Sequence, residues 1–130
     1  MFQGEQMTEP LALVFYEKLL PGSQLVNRLQ DLKYRVQTVS DASSLVECCD
    51  QAKPMLVLAD LRAAQQDVCA AIGKLKSNQS TQHIPVIAFG AEEQPELQRN
   101  ALAAGVSLIV SESALLNHLS ECLDQALSLE

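Results

Sequence analysis

Five times in 130 residues the chain passes from a short β-rich run to a longer segment with helical spacing. The runs are "LALVFY" (11–16), "RVQTVS" (35–40), "MLVLAD" (55–60), "IPVIAFG" (84–90) and "VSLIV" (106–110). Three of them are almost continuously apolar, the pattern of parallel strands covered on both faces. Leu25, Val26, Leu29 and Leu32 follow the breaker Pro21-Gly22-Ser23 at i, i+1, i+4 and i+7, and Leu45, Val46 and Cys49 follow Asp41, an N-cap residue type. Val68, Cys69, Ile72 and Leu75 form a third stripe, within which Gly73 costs about 1 kcal/mol relative to Ala. Glu92, Glu93, Pro95 and Glu96 suit the first turn of a fourth helix, where carboxylates meet the positive end of the dipole. Its apolar face is thin: Leu97, Ala101, Leu102 and Ala104. A fifth helix from about Glu112 carries Leu115, Leu116, Leu119, Cys122, Leu123, Ala126 and Leu127. Five such β-α units predict an α/β fold, a doubly wound five-stranded parallel sheet with five helices and right-handed crossovers. Residues 1–10 read as a polar lead-in and 11–130 as a single domain.

Several function classes conflict with the residue types present. Nine Lys and Arg against sixteen Asp and Glu give a formal charge of −7. Nucleic acid and anionic membrane both require basic patches, so neither is expected as a partner. Trp is absent and aromatic residues are few, which disfavours a base-stacking platform. No apolar run approaches a membrane span, and the first ten residues lack the basic start and apolar core of a secretion signal, so the expected location is cytoplasmic. Cys48, Cys49, Cys69 and Cys122 include no Cys-x-x-Cys pair and read as small buried hydrophobes; thiol regulation through Cys48–Cys49 is the alternative. His83 and His118 have no ligand cluster near them in sequence and read as surface or capping residues.

Ligands of open parallel sheets bind beyond the carboxyl ends of the strands, where strand order reverses. That rule directs attention to Phe15, Tyr16 and Glu17, to Asp60, to Gly90 and Ala91, and to Ser111 and Glu112. A small flavodoxin-like nucleotide or flavin binder would need a phosphate-cradling loop after the first strand. The chain offers only "PGS" at 21–23, and no Gly-x-Ser-x-Gly elbow follows any strand.

The segment "KPMLVLADL" (53–61) resembles the third strand of response-regulator receiver domains, whose usual pattern is Lys/Arg-Pro-Asp-Leu-Val-Leu-Leu-Asp-Leu. "KLKSNQSTQHIPVIAFGA" (74–91) is similar to that family's third helix and fourth strand, and "ALAAGVSLIV" (101–110) to its entry into the fifth. The resemblance implies strand order 2-1-3-4-5, with two helices on one face and three on the other. It places Asp60 on the family's phosphoacceptor position. The two acidic residues that would hold Mg²⁺ fall on Phe15 and Tyr16, with Glu17 just beyond. The Thr or Ser that bonds the phosphoryl group is Gly90, the Lys that pairs with the acceptor is Glu112 and its following Pro is Ser113, and the aromatic switch residue is Ile109. The turn after the acceptor has become Arg62-Ala63-Ala64-Gln65.

Phosphoryl transfer to a carboxylate is mostly positioning plus charge neutralisation, much of it by Mg²⁺, which prefers several oxygen ligands. A cation held by Glu17 and Asp60 alone would be poorly ligated, and Glu112 would repel an added phosphoryl group carrying about −1.5 to −2 charges. The resemblance therefore implies a divergent pseudo-receiver without a cofactor, not an enzyme, acting in two-component signalling through protein contacts. The implied partners are a histidine kinase or an output protein at the surface of helix 4, strand 5 and helix 5, or a second copy in a homodimer. A phosphorelay receiver that accepts a phosphoryl group on Asp60 is the alternative.

Overall fold

The computed structural model of the protein describes residues 10–16, 19–62, 67–91 and 93–128, with backbone alone for 19–22. Residues 1–9 of the lead-in, Glu17, the turn residues 63–66 and Glu92 lie outside the described residues. Strands β1 (Leu11–Phe15), β2 (Arg35–Val39), β3 (Leu56–Asp60), β4 (Val86–Phe89) and β5 (Leu108–Val110) form one parallel sheet in the order β2-β1-β3-β4-β5. Helices α1 (Leu19–Asp31), α2 (Leu45–Ala52), α3 (Val68–Ser77), α4 (Pro95–Ala104), α5 (Glu112–Asn117) and α6 (Leu119–Ser128) connect and follow the strands.

The three central strands are buried on both faces, which is why their sequences run apolar without alternation. The pleat divides their side chains between two cores. Leu13, Phe15, Val57, Ala59, Val86 and Ala88 pack against α2, α3 and α4 through Leu45, Cys49, Ile72, Leu75 and Ala101. Ala12, Val14, Leu56, Leu58, Ile87 and Phe89 pack against α1, α5 and α6 through Leu25, Leu29, Leu115, Leu119 and Leu123. Each Val, Leu, Ile or Phe side chain among them, once buried, contributes about 1.5–3 kcal/mol relative to exposure.

Several local expectations are corrected. The first helix begins at Leu19, before Pro21 rather than after Ser23. Pro is tolerated there because first-turn amides have no intrahelical acceptor to lose. Asp41 caps a 3-10 turn at Ala42–Ser44 that leads into α2, accepting from the Ser43 amide at 3.0 Å. Leu32 and Leu102 belong to the apolar patterns but are exposed, Leu102 by 59 %. The last helix is two, broken at His118, so the described residues form six α-helices where periodicity predicted five.

Two polar devices, one buried and one partly exposed, fasten the amino-terminal end of the sheet. Thr81, fully buried, donates its hydroxyl to the Leu75 carbonyl at 2.6 Å, satisfying an acceptor in the last turn of α3. The Lys76 ammonium donates to the carbonyls of Gln82 (3.2 Å) and Ile84 (2.6 Å), so α3 holds the chain entering β4. Gly105, at φ +111°, lies so close to this side chain that a Cβ would approach Lys76 Cγ to 2.9 Å.

The four thiols are free; Cys49 and Cys122 are buried, Cys48 and Cys69 half-buried. Burial, aided by neighbouring Cys48, pushes the Cys49 thiol up to about 12. Native protein treated with iodoacetamide at pH 8 is therefore expected to keep Cys49 unlabelled until urea unfolds it, as peptide mass mapping would show; prompt labelling would contradict the packing. Gly73 has open space where a Cβ would stand, so Gly73→Ala is expected to raise the unfolding free energy by about 1 kcal/mol, measured by urea titration.

Candidate functional site

The chain winds outward from β1 to β2 and returns on the other side of β1 as β3, so strand order reverses between β1 and β3. Asp60 ends β3 at the carboxyl edge beside that point. The β1–β3 register pairs Phe15 with Ala59, and one residue further it sets Tyr16 level with Asp60. On the other side Asp60 pairs with Phe89, which places Gly90 just beyond it.

Phe15 and Tyr16 offer no acid here. Phe15 is fully buried in the core beneath α2 and α3, and Tyr16 packs half-buried against the opposite core. Ile109 sits midway along β5, half-buried against the α2–α4 side.

Asp60 is 4 % exposed, and its carboxylate is filled from within the chain. Oδ1 accepts from the Arg62 backbone amide at 2.9 Å, closing an Asx-type turn, and from Arg62 Nε at 3.1 Å. Oδ2 accepts from Arg62 Nη2 at 3.4 Å. The remaining arm of the guanidinium, Nη1, donates to Glu112 Oε1 at 2.7 Å. Asp60 first, and then Glu112, raise the Arg62 pKa above its ordinary value. Glu112 is the first residue of α5, whose cap Ser111 accepts from the Ala114 amide at 3.1 Å.

Gly90 completes the arrangement. At φ +91° it occupies a backbone region that L side chains rarely adopt, and a Cβ there would lie 2.7 Å from Asp60 Oδ1 and 2.8 Å from Arg62 Nε. Of the residues singled out from sequence, Asp60, Gly90 and Glu112 are thus brought together. Phe15 is a core residue, Ile109 packs half-buried against the same core, and Glu17 lies outside the described residues. The residue that joins the cluster, Arg62, reads in sequence only as part of an altered turn. The available signal was a paired exchange: a cation two residues after the carboxylate, and an acid where the resemblance expects Lys.

The described residues of this site do not make up a fitting set of Mg²⁺ ligands. Among the described residues, the carboxylate at the reversal point, Asp60, spends both oxygens on a guanidinium, and no group of three His, Cys, Asp or Glu side chains gathers to hold a metal. Its chemistry is that of a closed ion pair: a buried anion, a fixed cation and a second anion reaching in from α5.

Comparison with known proteins agrees with the fold. Residues 21–124 match the family model described as the response regulator receiver domain. A chemotaxis response regulator of Vibrio cholerae superposes with a TM-score of 0.81 at 16% identity, covering 92% of this chain and 99% of that one. The receiver domain of a sensor histidine kinase of Pseudomonas aeruginosa, solved with magnesium in its active-site cleft, gives 0.83 at 20% identity, with 92% and 98% covered. A putative response regulator of Chloroflexus aurantiacus gives 0.84 at 12% identity, with 92% and 98% covered. No curated protein matches the chain in sequence.

The tight seat of Gly90 leads to a direct test. Gly90→Ala is expected to cost about 2–4 kcal/mol of stability in urea titration, because backbone strain and the held carboxylate act together. A change below about 0.5 kcal/mol, the ordinary range for surface substitutions, would show that Arg62 and Asp60 yield freely.

Proposed function

The chain belongs to the response-regulator receiver family, and we propose that within it this protein signals through protein contacts without taking up a phosphoryl group. One observation carries the reading: the Asp60 carboxylate, at the acceptor position of the resemblance, already holds the Arg62 guanidinium on both oxygens. An incoming phosphoryl donor would have to displace that cation. It would find Glu112 where a positive partner is needed, and no second acid for Mg²⁺ among Phe15 and Tyr16.

Under this proposal the protein is a signalling module rather than a catalyst, working in the cell interior. Its partner is a histidine kinase or an output protein, with a second copy of the chain as a further candidate. The surface formed by α4, β5 and α5 is the place to look. There Leu102 projects from α4, and β5 forms an edge of the sheet with three half-buried apolar residues. Among the described residues no helix is long and apolar enough to cross a membrane.

The position of Asp60 itself favours the second reading, slow phosphorylation by a dedicated kinase. Incubation with a small phosphodonor and Mg²⁺, followed by intact-mass measurement, separates the two. The expected result is no adduct of about 80 Da, the mass of one phosphoryl group. A stoichiometric adduct that disappears in Asp60→Asn would establish the phosphorelay instead.

A further inference from the structure

We infer that Arg62 and Glu112 form a latch that sets the bend between α5 and α6, coupling the carboxyl edge of the sheet to the last helix. The inference rests on the reading that Arg62, not an external cation, occupies the Asp60 site. Residues 112–128 contain neither Pro nor Gly. Leu115, Leu119, Cys122, Leu123 and Ala126 are buried at i, i+4, i+7, i+8 and i+11, a single stripe that runs across the joint. That pattern encodes one continuous helix.

The backbone nevertheless breaks at His118, with φ −131° and ψ 40°. The flanking bonds stay helical: the His118 amide donates to Ala114 at 2.8 Å and the Cys122 amide to His118 at 3.0 Å. Between them, Leu119, Ser120 and Glu121 begin a new helix, so their amides have no preceding turn to donate into. A continuous helix would bond them to the carbonyls of Leu115, Leu116 and Asn117.

A bend that forfeits those bonds without a helix-breaking residue needs an outside restraint. The His118–Glu121 pair at 3.2 Å joins the break residue to the first turn of α6, but both side chains are exposed, and a pair of that kind contributes little. Glu112, the first residue of α5, is tied at 2.7 Å to Arg62, which is itself anchored on buried Asp60. The tie fixes the start of α5 to the β3 loop, while the stripe fixes α6 to the sheet along its length and α5 through Leu115. Any group that draws Arg62 away from Glu112 releases α5 to align with α6. The coupling needs no phosphoryl chemistry.

Amide hydrogen exchange by NMR on the full chain tests the latch. In the unmodified protein the amides of Leu119, Ser120 and Glu121 are expected to exchange at least tenfold faster than those of His118 and Cys122. In Glu112→Gln, which leaves the Asp60–Arg62 pair in place, and in Arg62→Met, they are expected to slow at least tenfold as the helix closes. Unchanged rates in Glu112→Gln, or protection already present in the unmodified protein, would overturn the latch. Intact-mass measurement of the same proteins after phosphodonor treatment keeps the two ideas apart. An unchanged bend without an adduct defeats the latch alone, whereas an adduct on the unmodified protein defeats the reading beneath it.

Discussion

A carboxylate removed from water has to be paired, and the carboxyl edge of this sheet is organised around meeting that demand at Asp60. An unpaired buried anion would cost several kcal/mol, and breaking such a pair by deleting one partner typically costs about 3–5 kcal/mol when both are buried. Arg62 keeps 36 % of its side chain in solvent, so the cost here falls below that range. Once the guanidinium lies over Asp60, the neighbouring choices follow sterically and electrostatically. Position 90 has no room for a side chain, and position 112 answers a cation rather than an anion. The departures at positions 62, 90 and 112, which look like separate losses in sequence, are in space one cluster around Asp60.

The sheet that carries this site is held by other means. Its central strands are buried on both faces by two cores, neither of which depends on the charged cluster. The scaffold is therefore energetically separable from the chemistry at its edge. Structural likeness survives at 12–20% identity because that identity need cover little more than the apolar pattern and the turns. The same separability governs what likeness says about function: a shared fold fixes where the strands end, and the side chains standing there decide the chemistry.

Much of the architecture was legible in the sequence because burial leaves a periodic trace. β1, β3 and β4 announced themselves as unbroken apolar runs, and α3 as the stripe Val68, Ile72 and Leu75. Pro21 misled because proline ends a helix in its interior but is harmless in its first turn. The break at His118 left no trace because both halves present the same buried stripe. Asp60, Gly90 and Glu112 were found by their places at the strand ends and again through the resemblance, yet their meaning was not. The Arg62–Glu112 contact spans fifty residues of sequence, and no local pattern reports a pairing of that kind.

The sheet ends with a long cation at each edge, and the two differ in what they hold. Arg62 grips carboxylates, one of them in a partly solvated bond, while Lys76 grips neutral carbonyl oxygens. Mobile ions weaken attraction between full charges at a wet surface far more than attraction between a charge and a peptide dipole. Ionic strength therefore acts on this domain unevenly. A rise in salt loosens the edge where the loops after β3 and β5 meet and leaves the opposite edge fastened, so the solution around the molecule can address one end of it alone.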